Sequence, residues 1–320
     1  MGSPLRTLFA LAQRQHRNMM TGDEHLFPTQ LAIEPVRACN ARCVMCPSTT
    51  MRRPGGVMRL EQHELIVNKV KAWGAPISLI THAGLGEPLL DPELEEKVRL
   101  NKKVFPDAHV IVYSNGALLH QDRAKDLIES GVDTLSFSVN AFEPGTYHSI
   151  MKLDRDTTYS NINNLLDMRA SVRKNAPRVH ISLIRTEHVS EEEVAIFKEY
   201  WESRADSVIL PPRINWGGDM PFAQGRMEGR LPCAFLWSIL MVDWDGGVKR
   251  CCEDYDSRFP MGNILEQSPD AIFNSRMMMM NRKRQMVGDF NIPKMCKTCV
   301  ETLPVIAAPF WEGRGPVICS

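Results

Sequence analysis

Neither sign of charge is in excess, because Lys+Arg and Asp+Glu each number 38 in the 320-residue chain. Without a basic surplus the chain lacks the electrostatic footprint that nucleic acid or an anionic membrane surface selects, so neither partner is expected. Long apolar runs are missing too: nothing approaches the ~20 consecutive apolar residues that cross a bilayer. Near the N-terminus, Leu5, Leu8, Phe9 and Leu11 alternate with Arg6, Arg14 and Arg17. That stretch is short and has no small-residue cleavage site, so residues 4–19 read as a surface helix, not a secretory signal. Cysteine, with nine copies, is too sparse for a disulfide scaffold. Its crowding into short spacings points to metal in a reducing compartment, and the expected location is the cytoplasm.

What the chain does have is a hydrophobic content of 43%, enough for a large core and one big domain with a smaller one. From residue 29 onward the hydrophobic period alternates between strand-like and helix-like. Strands are expected at Gln30–Glu34, Ile77–Thr81, His109–Tyr113, Val132–Val139, Arg178–Ile184 and Ser207–Leu210. Between them helices are expected at Glu61–Trp73, Asp91–Val104 with Asp91 as N-cap, Gln121–Ser130, Thr157–Lys174 and Glu191–Arg204. Such alternation predicts an α/β fold with a parallel sheet, either doubly wound or a partial barrel, whose ligands sit at the C-terminal strand ends. Around Pro211-Pro212 the pattern gives way to a Pro/Gly-rich stretch, then to a hairpin turning at Asp245-Gly246. The expected division is an N-terminal helical segment (1–28), a barrel (29–212) and a C-terminal domain (213–320). In the last of these, Met277–Met280 reads as helix with some Met in the core.

Three thiols spaced C-x3-C-x2-C, Cys39, Cys43 and Cys46, follow the first strand. Thiolates at this spacing can hold one iron–sulfur cluster, and three ligands for four irons leave one iron open. Structural zinc would want a fourth ligand, and none is near in sequence. After the second strand comes Gly84-Leu85-Gly86-Glu87-Pro88, in which glycines let backbone approach a ligand and a carboxylate suits an ammonium group. These residues resemble the radical S-adenosylmethionine (SAM) superfamily, and the likeness runs from Gln30 to about Leu210. The resemblance implies a partial (β/α)6 barrel whose [4Fe-4S] cluster binds SAM, with Gly84, Gly86 and Glu87 at the methionyl ammonium. It also places Ser114, Asn115, Ser138 and Asn140 at ribose and carboxylate contacts, and Arg185 near the cofactor carboxylate. Met45 stands where many members carry an aromatic residue.

A second cysteine set comprises Cys233, Cys251, Cys252 and the C-x2-C pair Cys296 and Cys299. By spacing alone it could close around a cluster or a zinc. Beside the upstream likeness, it resembles the auxiliary-cluster extension of radical SAM enzymes, the twitch form of the SPASM domain. That implies one auxiliary [4Fe-4S] cluster on Cys233, Cys251, Cys296 and Cys299, with Cys319 a bystander. Adjacent residues in an extended segment face opposite sides, so one of Cys251 and Cys252 is a ligand and the other is not. The remaining thiol, taken as Cys252 unless the two exchange roles, is either a small buried hydrophobe or a hydrogen-atom donor to a substrate radical.

The resemblance therefore implies hydrogen abstraction by a 5′-deoxyadenosyl radical from an aminoglycoside or amino sugar. Epimerisation with Cys252 as donor is the leading expectation. The alternatives are dehydrogenation of an aminocyclitol with the auxiliary cluster as electron acceptor, peptide maturation, or a non-catalytic metal-binding scaffold. A one-electron reductant such as flavodoxin or ferredoxin is the implied protein partner. Asp219, Glu253, Asp254 and Asp256 are expected near the second cluster, where carboxylates would suit a cationic amino sugar.

Overall fold

The computed structural model describes residues 26–171, 177–211, 213–220 and 229–300. The expected helix at 4–19 and Cys319 lie outside the described residues. Six strands alternate with helices as anticipated: β1 (Gln30–Ile33), β2 (Leu79–His82), β3 (His109–Ser114), β4 (Thr134–Ser138), β5 (Arg178–Ser182) and β6 (Ser207–Ile209). They pair in parallel and in sequence order, with Leu31 opposite Ile80 and Ile111 opposite Thr134. Helices cover the sheet, so most strand residues are buried on both faces, which explains runs such as Val110-Ile111-Val112. The result is a partial (β/α)6 barrel, and its core includes the fully buried Leu31, Ile33, Ile66, Val70 and Val110.

The C-terminal segment does not form a detached sheet. Strand β7 (Ile239–Val242) lies parallel to β1, with Gln30 opposite Ile239 and Ile33 opposite Val242. Strands β8 (Gly247–Lys249) and β9 (Pro260–Asn263) continue antiparallel, extending one sheet to nine strands. Its turn differs from the expected two-residue hairpin: Val242 pairs with Val248, so Asp243 to Gly247 form a longer loop. Gly246 adopts φ +82° inside that loop, a conformation few side chains tolerate.

Two local features bring the strand ends to order. Asp91 does not cap a helix; the chain makes a 3₁₀ turn at Pro88–Leu90, and the helix begins at Leu94 with Glu93 as N-cap. Freed from that role, the Asp91 carboxylate accepts from buried Lys97 at 2.6 Å, and Lys97 also donates to the Met58 carbonyl. Deeper in, Asn101 accepts from His63 Nε2 at 2.8 Å and donates to His82 Nε2 at 2.7 Å. This tie fastens the helices Leu60–Trp73 and Leu94–Val104 to the last residue of β2. A further helix, Pro144–Met151, was not evident from periodicity. In the helix Arg276–Met286, Met278 is buried whereas Met277 and Met280 are exposed, so only part of the Met run reaches the core.

Candidate active site

The cysteine loop leaves β1 at Glu34 and is seated from three sides. Its start is held by the second strand's turn, where Glu87 N–H donates to the Ala38 carbonyl at 2.7 Å. Its middle rests on the unanticipated helix: Arg42 and Val44 N–H donate to the Met151 and Ile150 carbonyls. The irregular segment after it folds back, with Arg37 N–H donating to Gly56 and Met58 N–H to Pro35. Arg53 crowns this return with a bidentate pair to Glu34, both contacts at 2.6 Å. A Cβ on Gly86 would lie 1.8 Å from the Val36 carbonyl oxygen. That glycine therefore lets two backbones meet, the turn and the cysteine loop, before any ligand is considered.

Cys39, Cys43 and Cys46 rim one cavity together with Gly84, Gly86 and Glu87. Burial pushes the Cys39 thiol up to about 11 and also raises Cys43 and Cys46, so these sulfurs hold a proton unless a cation compensates their charge. Glu87 is buried and links two strand ends. It accepts from Ser114 Oγ at 2.7 Å, from Asn115 N–H at 2.7 Å and from Leu89 N–H at 3.0 Å. Burial pushes its pKa upward against those donors. Asn115 reaches across to Asn40 at 2.8 Å, tying β3's end to the cysteine loop. Ser138 and Asn140 complete the polar wall. Asn140 has φ +65° and its side-chain oxygen accepts from Ile184 N–H at 2.9 Å.

Arg185 is the expected site residue that the fold does not bring in. It lies at the surface, paired with Glu191 at 3.1 Å, because it falls past the end of β5 where the chain turns outward. Arg213 lines the cavity in its place, with its Nε unpartnered and Nη1 on Glu187. The four carboxylates expected to greet an amino sugar are also occupied elsewhere. Glu253 accepts from Gly217 N–H, Asp254 from Arg258 and Phe259 N–H, and Asp256 from Arg52 and Arg53 N–H. Asp219 pairs with Arg258 and Tyr255.

A second cavity adjoins the first, sharing Gly84, Leu85, Tyr113 and Trp216, and is lined further by Glu34, Lys249 and Cys252. Trp216 was hidden in the Pro/Gly-rich stretch; its indole N–H donates to the Met45 carbonyl at 2.9 Å and its ring packs edge-on to Tyr255. Cys252 is disulfide-bonded in this structure, unlike the other seven described cysteines. Its neighbour faces elsewhere: Cys251 lines a third cavity with Cys233, Cys296 and Cys299. Among the described residues no three His, Cys, Asp or Glu side chains are close enough to hold one metal ion. A tetrahedral zinc draws its sulfurs to about 2.3 Å from a single centre. Cysteines that ring a cavity suit a multi-iron cluster instead.

Comparison with known proteins agrees with this geometry. The Radical SAM superfamily profile matches residues 33–201, over half the chain. The chain belongs to the radical SAM superfamily. A second profile, the SPASM iron-sulfur cluster-binding domain, matches residues 233–300. The protein is thus a radical SAM enzyme with an auxiliary-cluster domain, and its cofactors are SAM and two [4Fe-4S] clusters. Among relatives, the S-adenosyl-L-methionine-dependent 2-deoxy-scyllo-inosamine dehydrogenase of Niallia circulans is 22% identical over 272 residues, spanning 85% of this chain and 92% of that protein. A tungsten-containing aldehyde ferredoxin oxidoreductase cofactor-modifying protein of Pyrococcus furiosus is 26% identical over 160 residues, 49% of this chain but only 43% of its own length. The fold matches BtrN in complex with AdoMet and 2-DOIA with a TM-score of 0.61 at 20% identity, covering 86% of this chain and 94% of that one. Streptococcus suis SuiB bound to precursor peptide SuiA gives 0.66 at 13% identity, over 83% of this chain and 69% of that one.

Proposed function

We propose that this radical SAM enzyme epimerises a ring carbon of an aminoglycoside or related amino sugar, with Cys252 as the hydrogen donor. The observation that carries the reading is the opposed facing of two adjacent cysteines, Cys251 toward the four-cysteine cavity and Cys252 toward the cavity beside the strand ends. SAM and its cluster supply a 5′-deoxyadenosyl radical able to take a hydrogen atom from a carbon–hydrogen bond. Cys39, Cys43 and Cys46 would hold that cluster, and Cys233, Cys251, Cys296 and Cys299 the auxiliary one. Gly84, Gly86 and Glu87 would meet the methionyl ammonium; the carboxylate oxygen shared only with Asn115 N–H retains a free lone pair for it. Ser114, Asn115, Ser138 and Asn140 would contact the ribose and carboxylate, with Arg213 in the part first assigned to Arg185.

Substrate would lie over Cys252, in the cavity lined by Glu34, itself held by Arg53, and Lys249, itself held by Asp243. The reduced Cys252 thiol would give its hydrogen atom to the substrate carbon radical, leaving a thiyl radical. One electron, from a carrier such as flavodoxin or ferredoxin, and one proton from solvent restore the thiol. Cys252 is disulfide-bonded here, so the proposed donor role requires that bond to be reduced first. Shielding by Trp216 and Tyr113 between the two cavities would keep water from the radical.

The relative from Niallia circulans, similar over nearly its whole length, supports a second reading: dehydrogenation of an aminocyclitol alcohol, with the auxiliary cluster accepting the second electron. One assay separates the two. With a candidate aminoglycoside in D2O, wild type should place solvent deuterium in an epimerised product. Cys252→Ala should still form 5′-deoxyadenosine yet release no epimer. Normal epimerisation by the variant would sink the donor role, and a ketone product without deuterium would favour dehydrogenation.

A further inference from the structure

Arg250 is 2% exposed, and all three of its guanidinium nitrogens lack a hydrogen-bond partner. Among the described residues no other buried arginine is left so completely without hydrogen bonds. A buried, uncompensated cation costs several kcal/mol and persists in a folded protein only where an anion meets it. Of the carboxylates close to it in sequence, Asp243 holds Lys249 at 2.7 Å, Asp254 takes two backbone N–H groups, and Glu253 takes Gly217 N–H through one oxygen. What Arg250 does face is the third cavity, which it lines together with Cys233, Cys251, Cys296 and Cys299.

We infer that Arg250 is the counter-cation of the auxiliary cluster and raises its reduction potential. The inference rests on reading those four cysteines as cluster ligands. Four thiolates on a [4Fe-4S]2+ core carry a net charge of about −2, which becomes about −3 when a chemical reductant adds one electron. A fixed cation inside the dry cavity stabilises the more negative form more strongly, so the reduced state gains. Arg230 has a different part. Its guanidinium donates to the Cys296, Lys297 and Cys299 carbonyls and stacks on Phe290 at 4.0 Å, so it braces the C-x2-C loop. Glu253, which lines the same cavity, works against Arg250 and sharpens the need for it.

The test uses the full chain with Cys39, Cys43 and Cys46 changed to Ala, so that the auxiliary cluster alone remains. Iron and sulfide are counted after anaerobic reconstitution, and the cluster is titrated with dithionite and mediators under electron paramagnetic resonance. Arg250→Gln should make one-electron reduction at least tenfold less favourable, a fall of about 59 mV, while Arg250→Lys should stay within about twofold of the parent. Loss of iron in R250Q with retention in R250K would equally support the counter-charge. An unshifted potential in R250Q, or R250K failing as R250Q does, would overturn it in favour of simple packing. A parent that binds no iron would instead remove the cluster assignment beneath it, a separate and visible failure.

Discussion

Adding one methyl group at Gly86 tests how the cysteine loop is held. In Gly86→Ala the new Cβ would stand 1.8 Å from the Val36 oxygen, 2.8 Å from its carbon and 3.0 Å from the Ala38 oxygen. All three are backbone atoms, so no rotamer change relieves the overlap. Val36 is itself pinned, 1% exposed and bridged to Val57. The loop has to retreat by about 1.2 Å to reach the 3.0 Å floor of real Cβ contacts. Overpacking of this kind costs about 1–3 kcal/mol, and the Glu87–Ala38 hydrogen bond that would stretch adds about 1 kcal/mol. The chemistry should suffer more than the fold, because Cys39 follows Ala38 directly and a misplacement of ~1 Å can cost ~100-fold in rate. The expected outcome is a variant that folds, with a denaturant midpoint lowered by those few kcal/mol. Its iron content should be poor and its 5′-deoxyadenosine formation down by about two orders of magnitude. A variant that cleaves SAM within about twofold of wild type, at an unchanged midpoint, would refute the argument that this glycine seats the loop.

Two further outcomes follow from the layer beneath the turn. Lys97→Met leaves the Asp91 carboxylate buried with its cation gone, and urea unfolding of the apoprotein should register a loss of about 3–5 kcal/mol; a loss below about 1 kcal/mol would show that the pair is replaceable. Burial lowers His63 to about 4 and pushes His82 well below its ordinary value, so both stay neutral when folded. The unfolded chain, with His near 6.5, binds the extra protons between those limits, so stability is fully present above pH ~6.5 and falls as pH drops toward 4. His63 alone should account for about 2 kcal/mol between pH 6.5 and 5, and a flat profile there, or one unchanged by His63→Gln, would contradict the assignment.

What was readable in the residues was mostly local. Cys39, Cys43 and Cys46 announce themselves by spacing, and the strand that precedes them ends within a residue of its expected limit. Ser114, Asn115, Ser138 and Asn140 reach the cavity because the apolar runs end where the parallel strands end. Cys251 and Cys252 line different cavities, but at a turn past the end of β8 and not in the extended segment that was expected. What escaped depended on partners distant in the chain. Arg185 and Arg213 have the same chemistry, and only the path of the backbone after β5 decides which one meets the cavity. Asp219, Glu253, Asp254 and Asp256 look like a binding patch until their internal donors are known. The helix Pro144–Met151 is two turns long with Gly145 near its start, too short to show a period, yet it supports the cysteine loop.

The pairing of β7 with β1 has a consequence for how such proteins can be cut and recombined. β1 delivers the first cysteine set, and β7 leads through one loop and β8 to Cys251 and Cys252. Four matched residue pairs thus act as a ruler between two metal-binding loops some two hundred residues apart in the chain. Removing the tail to obtain an independent barrel would strip β1 of a neighbour and leave its N–H and C=O groups as an open edge, a template for aggregation. Exchanging tails between relatives preserves the spacing only if the crossover falls before Ile239 and the incoming strand keeps the register of Gln30 with residue 239. The seam between the two modules is an internal ladder of hydrogen bonds, and inheritance of one module constrains the other.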